Sequence, residues 1–571
     1  MSAAVAWSVL GRSDDVIRVV DLGADGRELS ARLLADADLA AHVAAAPPSR
    51  RWVWSDTPRW YPALLAAGVT VARCHDLRLC HAILRDSAQV GEDAGMRAAV
   101  EWDGSAGEMA DARIPATLFD LTGAETAGAP DDIAAALAEF ERQRAAVARA
   151  GDPGRLRLLL AAESAGALLA CELHAAGLPW SRPVHERILE EELGARPAVG
   201  GVPDRVAELG ARVRAALGDP TASLDSQPKL LRALHRVGVL AASTSRWELA
   251  EYEHPAIEPL LAYKKLTRLA SANGWAWLDE WAPHGRFRPV YVPGGVVTGR
   301  WASSGGGALQ LPRMLRPAVR ADDGWTLVVA DVAQLEPRVL AAMAGDTALA
   351  DAARGVDLYS GLVARGVVPS RQEAKIALLG AMYGATTGDS ARLLPALRRA
   401  YPRAMALVDD AARRGEEGGV VSTWLGRSSP PPSPGWHELQ QQASGPDASA
   451  AMQTQARRSA RDRGRFTRNF VVQGTAAEWA LAWLADLRTR LAALAPAPGA
   501  AADASGPVFR ARAHLAFFLH DEIIVHAPAE QGEEVAAAVR AAAEAATRLL
   551  FGGFPLDFPL DLRIAADAAK A

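Results

Sequence analysis

At 571 residues the chain has room for three or four domains, and a hydrophobic content of 50% supplies a substantial core. A formal charge of −5 excludes a protein coated in positive charge, though not a basic cleft inside an acidic shell. The three scattered cysteines, Cys74, Cys80 and Cys171, fit neither a disulfide framework nor a zinc site and point to a reducing cytoplasm.

No basic segment followed by a continuous apolar run opens the chain, so no secretory signal is expected. No stretch approaches the ~18 uncharged apolar residues of a membrane span. Residues 1–120 alternate short apolar runs, at 16–20 and 51–54, with Gly/Asp/Pro turns, which predicts a small α/β unit. Residues 130–275 carry helical periodicity, as at 133–137 and 158–161, with polar breaks at 194–204 and 218–226. From about Gly285 the pattern becomes mixed and the arginine density rises. Two stretches are expected to be flexible insertions: 428–449, rich in Pro, Ser and Gln, and 495–507, rich in Ala, Pro and Gly. The chain contains no internal repeat.

Chemistry concentrates in this later half. Leu327-Val328-Val329-Ala330 predicts a buried strand with Asp331 at its C-terminal end and a helix starting just past Glu336. A second carboxylate has a similar setting in Phe517-Phe518-Leu519-His520-Asp521-Glu522-Ile523-Ile524-Val525. Two aspartates, each supported by an apolar strand, are what a two-metal phosphoryl-transfer site requires. The bland reading makes them turn or capping carboxylates.

Between them, Ser370 and Glu373 form a capping box that fixes a helix start. Arg371, Lys375, Leu379 and Tyr383 then recur every four residues along one slowly drifting stripe. Two cations lie near the helix N-terminus, where the dipole also favours phosphate, and an apolar and an aromatic residue follow. An ordinary solvated Arg/Lys face is the alternative. The turn Thr298-Gly299-Arg300, followed by Ser303 and Ser304, suits phosphate oxygens and minor-groove edges. Arg457, Arg458, Arg461, Arg463, Arg465 and Arg468 crowd the stretch before Asn469 and Gln473. That cluster is either a solvated face or a track for a DNA backbone, with amides reading base edges.

Taken in order, these elements resemble the DNA polymerase I family (family A). Motif A resembles Asp331…Glu336-Pro337-Arg338, the fingers helix Arg371-x-x-x-Lys375-x-x-x-Leu379-x-x-x-Tyr383-Gly384, and motif C His520-Asp521-Glu522. Thr298-Gly299-Arg300, Leu309-Gln310-x-Pro312 and Arg465-x-x-x-Asn469-x-x-x-Gln473-Gly474-Thr475 match as well, and the likeness covers roughly residues 158–566, with a thumb-like stretch at Tyr263-Lys264-Lys265. The resemblance implies an α/β multidomain chain with a right-hand polymerase fold: a palm antiparallel sheet with helical fingers and thumb. An N-terminal ribonuclease H-like exonuclease-type domain would precede them. The implied domains are 1–150, exonuclease-like; 151–285, thumb-like; and 286–571, palm and fingers.

Roles follow by resemblance. Asp331 and Asp521 hold two Mg²⁺ ions, with Mn²⁺ as a substitute; Glu522 is secondary and Lys375 is a proton donor. Arg371 and Lys375 cradle the triphosphate, Leu379 and Gln334 border the nucleotide, and Tyr383 with Glu336 closes off the sugar 2′ position. Arg300, Thr298, Gln310, Arg465, Asn469, Gln473 and His520 contact DNA. The implied partners are primer-template DNA and deoxynucleoside triphosphates, for a cytoplasmic, nucleoid-associated bacterial monomer in replication or repair with no membrane association. The chain departs from the family at Leu379, usually aromatic; at Val332, usually Tyr; at Pro337, usually an apolar helix residue; at Ala308, often Asn; and at Tyr359, often His.

Residues 59–85 resemble part of the family's proofreading domain. Residues 1–160 nevertheless contain neither Asp-x-Glu nor Tyr-x-x-x-Asp, and His81-x-x-x-x-Asp86 has no acidic companion motif. A shortened, inactive exonuclease fold is therefore expected. A retained weak exonuclease and a non-catalytic DNA-binding remnant are the competing readings.

Overall fold

The computed structural model describes residues 4–91, 93–104, 128–198, 200–307, 311–355, 357–384, 388–497, 499 and 501–569. The chain divides into two compact units. Met1–Gly177, Pro289–Leu309 and Asp322–Ala565 form the first; Leu178–Arg288, Gln310–Ala321 and Ala566–Ala571 form the second.

The first unit opens with strands β1 (Trp7–Ser13), β2 (Val16–Leu22) and β3 (Glu28–Leu34), an antiparallel meander. Strands β4 (Arg51–Trp54) and β5 (Arg73–Asp76) extend it in parallel from the other side of β1, giving the order β3-β2-β1-β4-β5. Helix α1 (Thr57–Ala66) connects β4 to β5, and α2 (Leu77–Asp86), α3 (Ile133–Arg149) and α4 (Pro153–Ala176) follow. Parallel strands require cover on both faces. On one face Trp60, Tyr61 and Leu64 of α1 and Leu168 and Cys171 of α4 pack with Leu10, Val19 and Trp52. On the other, Ile133, Ala136 and Phe140 of α3 pack with Val9, Val20 and Val53.

The second unit is helical: α5 (Arg182–Leu193), α6 (Asp204–Ala216), α7 (Gln227–Arg236), α8 (Ile257–Asn273) and α9 (Trp275–Trp281). Both polar breaks in the sequence fall between these helices. Trp180, Trp277 and Phe287 form its aromatic centre, with ring centroids 5.0–5.8 Å apart. Among the described residues no helix is long and apolar enough to cross a membrane.

Back in the first unit, β6 (Val290–Val292) and β7 (Ala302–Gly305) form a short hairpin around the Thr298–Arg300 turn. A second sheet combines β8 (Trp325–Val332), β9 (His514–Leu519), β10 (Glu522–Pro528) and β11 (Leu560–Ala565), all antiparallel, in the order β9-β10-β8-β11. Helix α10 (Leu335–Ala344) begins before Glu336, not after it, because Gln334 takes a left-handed φ of 50° and starts the helix without a side-chain cap. Helices α11 (Leu358–Ala364), α12 (Arg371–Tyr383) and α13 (Pro402–Glu416) lead to α14 (Pro434–Ala443) and the 44-residue α15 (Ala450–Ala493). Helix α16 (Gly532–Phe551) packs on β8 and on α15.

Helix α14 corrects the expectation of a flexible insertion at 428–449. Ser433 caps it by accepting from the Trp436 amide, and Pro434 occupies its first position. The Trp436 ring lies over Gly418, where an added Cβ would come within 2.9 Å of it. Within 495–507, Asp503–Ser505 form a helical turn, and Pro498 and Ala500 lie outside the described residues.

Candidate active site

Two strand pairings build the centre. Asp331, near the end of β8, stands directly across from Glu522 of β10 and Asp561 of β11. Directly opposite residues share a sheet face, so three carboxylates line up at this level. Asp561, exposed on the edge strand, had no motif to mark it. Strands β9 and β10 are joined by the two-residue turn His520-Asp521, whose first position carries a φ of 57°. That turn places Asp521 beside β8: the Val332 amide donates to the Asp521 carbonyl at 2.9 Å. Asp331 and Asp521, some 190 positions apart in sequence, thus meet.

Burial pushes the Asp521 carboxyl up to about 6, and the Asp331 charge adds to the rise, with Arg300 opposing it. Two neighbouring carboxylates that repel in a half-buried setting fit divalent cations, which relieve both the repulsion and the desolvation. Among the described residues no group of three or more His, Cys, Asp and Glu is arranged for a metal ion. The fit therefore rests on the aspartate pair.

Beside Asp521 lies a cavity of about 260 Å³ lined by Arg300, Gln334, Glu336, Tyr359, Leu379, Tyr383, His520 and Asp521, among others. The Glu336 carboxylate receives the Arg300 guanidinium on one oxygen and the Tyr383 hydroxyl on the other. Burial and the Glu336 charge raise the Tyr383 hydroxyl, so it remains a donor. His520 is held below its ordinary value by burial and by Arg300.

Helix α12 starts as the sequence predicts. Ser370 Oγ accepts from the Glu373 amide at 3.2 Å and donates to its carboxylate at 2.9 Å. Lys375 is exposed and makes no hydrogen bond or ion pair among the described residues. Arg371 is engaged instead: it grips Asp357 through Nε (3.1 Å) and Nη2 (2.8 Å). Asp357 also accepts from Gln334 Nε2 at 3.0 Å, caps α11 by accepting from the Ser360 amide, and lies near Tyr359. Burial works to raise Asp357, but the bonds from Arg371 and Ser360 outweigh it and the net shift is downward. Tyr359 is pushed up to about 12 by burial and by Asp357. Sequence reasoning missed Asp357; the capping position before Leu358 was the available signal.

On α15, Gln473 accepts from the Thr298 hydroxyl at 2.9 Å, so two expected DNA-contacting residues meet each other. Arg465 pairs with Asp462, while Asn469 is partly buried on the same helix. Arg463 and Arg468 are turned inward, bonding Pro430 O (2.8 Å) and Ala381 O (2.8 Å), so the arginine run is only partly a free surface. Gln310 and Ala308 lie outside the described residues.

At the N-terminal sheet the buried Asp21, Asp56 and Asp76 are held by protein partners. Asp21 accepts from Ser8, Ser30 (3.0 Å), Arg32 (2.8 Å) and Arg50 (3.0 Å), and Asp56 from Arg78 (3.0 Å). Asp76 accepts from Thr57 and from the Leu79 amide. His81 and Asp86 do not act together: His81 is buried on Glu139 at 2.8 Å, and Asp86 pairs with Arg85 at 2.9 Å. The three cysteines are free and buried, and burial raises all three thiols.

This architecture is that of a right-hand polymerase, with paired aspartates on the palm sheet. Residues 223–568, more than half the chain, match the family model described as DNA polymerase family A, and the chain belongs to that family. Over 402 residues it is 26% identical to the thermostable DNA polymerase I of Thermus aquaticus, which covers 64% of this chain and 43% of that one. Over 314 residues it is 29% identical to the DNA polymerase I of Chloroflexus aurantiacus, covering 50% of this chain and 30% of that one. The chain thus spans less than half the length of these curated relatives. The fold is similar to the polymerase domain of Pol1 from M. smegmatis, solved in complex with DNA primer-template and dNTP. That likeness has a TM-score of 0.68 at 17% identity and covers 99% of this chain and 96% of that one.

Proposed function

We propose that this chain is a template-directed DNA polymerase that adds deoxynucleotides to a primer 3′-hydroxyl, in replication or repair. The observation that carries the reading is the meeting of Asp331 and Asp521 beside a cavity bordered by Glu336 and Tyr383. Family membership supports it, as do the primer-template and dNTP bound by the Pol1 neighbour.

Asp331 and Asp521 would hold two divalent cations, Mg²⁺ with Mn²⁺ as a substitute, which when bound activate the primer hydroxyl and neutralise charge on the pyrophosphate. Glu522, buried across the sheet from Asp331, supports that position. Lys375 faces solvent one turn beyond Arg371, where it meets the triphosphate and donates a proton to departing pyrophosphate. Arg371 joins it once the phosphate displaces Asp357. Leu379 and Gln334 border the base and sugar, while Glu336 and Tyr383 fill the space a 2′-hydroxyl would need. Thr298, Arg300, Gln473, His520, Arg465 and Asn469 would contact the DNA.

The N-terminal sheet unit is a shortened 3′–5′ exonuclease-like domain without activity; the engagement of its carboxylates by arginines and hydroxyls supports this. The helical second unit acts as the thumb. The enzyme works as a cytoplasmic, nucleoid-associated monomer. Incubation of a labelled primer-template with Mg²⁺ and four deoxynucleotides should give a ladder of longer products, and no elongation at any enzyme level would refute the reading. Without nucleotides the same labelled 3′ end should stay intact.

A further inference from the structure

Helix α4 carries Glu163 and Gly166, three residues apart and hence on one helical face. Both meet the β6–β7 hairpin that holds the Thr298–Arg300 turn. Glu163, 1% exposed, accepts from Arg427 Nη2 at 2.6 Å, and its other oxygen lies against Gly294, where an added Cβ would be 2.8 Å away. The Arg427 guanidinium in turn packs on Gly299: a Cβ there would meet Nε at 2.6 Å, and the φ of 87° already requires glycine. Trp301 closes over Gly166, with its ring 3.4 Å from the Cβ position.

The segment carrying Arg427 is gripped from two sides. From the N-terminal side, Ser87 donates to the Gly426 carbonyl (3.2 Å), the Ala88 amide donates to Ser428 (2.9 Å), and Arg155 lies over the Trp424 ring (4.1 Å). From α15, Thr475 accepts from the Trp424 amide (3.0 Å) and Glu478 from the Leu425 amide (2.9 Å).

We infer that Glu163 and Arg427 are positioning residues: their buried pair fixes the Thr298-Gly299-Arg300 turn, and through it the Arg300 guanidinium on Glu336. The N-terminal part of the chain, through Ser87, Ala88 and α4, then serves synthesis as a brace. Removing one member of a buried pair leaves the other charge uncompensated, so Arg427 must move and release Gly299. The activity consequence rests on the polymerase reading; the mechanical one does not.

Amide hydrogen exchange on the free full-length protein tests the mechanical part. The turn is closed by Gly299 N to Val296 O (2.7 Å) and Val296 N to Arg300 O (3.1 Å). In Glu163→Gln, exchange of the peptide spanning 296–301 should rise about tenfold while β10 stays protected. Arg427→Lys, which keeps the charge but loses the planar fork, should do the same and serves if the first variant does not fold. In primer extension, Glu163→Gln should lower kcat/KM about tenfold, yet add nothing once Arg300→Ala is present. Unchanged exchange in both variants, or losses that add to Arg300→Ala, would overturn the inference. A wild-type protein that does not extend primers would sink the polymerase reading instead, and the exchange result would still decide this one.

Discussion

Glu336, in the first turn of α10, accepts the hydroxyl of Tyr383, the last residue of α12, across 47 positions of sequence. The bond ties the helix bearing Lys375 to the motif that bears Asp331. It also places a carboxylate and a phenol where both fill one side of the cavity.

Glu336→Ala should therefore widen the cavity, on the proposed function at the place of the sugar. Incorporation of a ribonucleotide relative to the matching deoxynucleotide should rise about 10–100-fold, the range for removing a few atoms from a discriminating wall. Single-nucleotide kcat/KM ratios check this, and an unchanged ratio would remove Glu336 from sugar selection.

Arg371 is tied to Asp357, which on the proposed function competes with the triphosphate for it. The pair is largely solvent-exposed on the Arg371 side, so breaking it costs roughly 0.5–1 kcal/mol. Asp357→Asn should free the guanidinium and lower the nucleotide KM about two- to fivefold at low salt, with less effect as screening grows. A raised KM would mean that Asp357 orients Arg371 productively rather than competing for it.

Glu478 is fully buried in α15, and burial pushes its carboxyl up to about 7 despite bonds from Thr423 and the Leu425 amide. A raised folded-state value means that the native protein binds the proton more tightly than the unfolded chain. Stability should thus fall as pH rises from about 4.5 to 7 and then level off, by roughly 1–3 kcal/mol from this group. Urea unfolding of wild type and Glu478→Gln at pH 5.5 and 8 should show a smaller pH difference in the variant. Equal differences would contradict the assignment.

Gly474 lets α15 approach the Thr298 carbonyl, 3.1 Å from where its Cβ would stand, and the Thr423 methyl, which is closer still. Gly474→Ala gains helix propensity but forces backbone apart, and overpacking of this kind costs about 1–3 kcal/mol. A lower denaturation midpoint is expected; a higher one would mean that the Thr423 loop yields freely.

Part of this site was legible in sequence because the signals are local. The Leu327–Ala330 run ending in Asp331, the Ser370/Glu373 box and the four-residue stripe on α12 each depend on neighbours within a few turns. Helix α14 was also signalled, by Ser433 and Pro434, but the surrounding Pro, Ser and Gln content masked it. The start of α10 carried no such mark, since Gln334 initiates it from a left-handed conformation. Pairings such as Arg300 with Glu336, Arg371 with Asp357 and Glu163 with Arg427 were invisible, because partners 36, 14 and 264 positions apart meet only through tertiary packing. Glu163 in particular sits in an Ala/Leu-rich helix, where nothing in the pattern separates it from a surface glutamate.

The meeting of Asp331 and Asp521 decides the account. Primer extension with Mg²⁺ should be lost by at least about 1000-fold in Asp331→Ala and in Asp521→Ala, with primer-template binding retained. Extension that persists in both variants would contradict it.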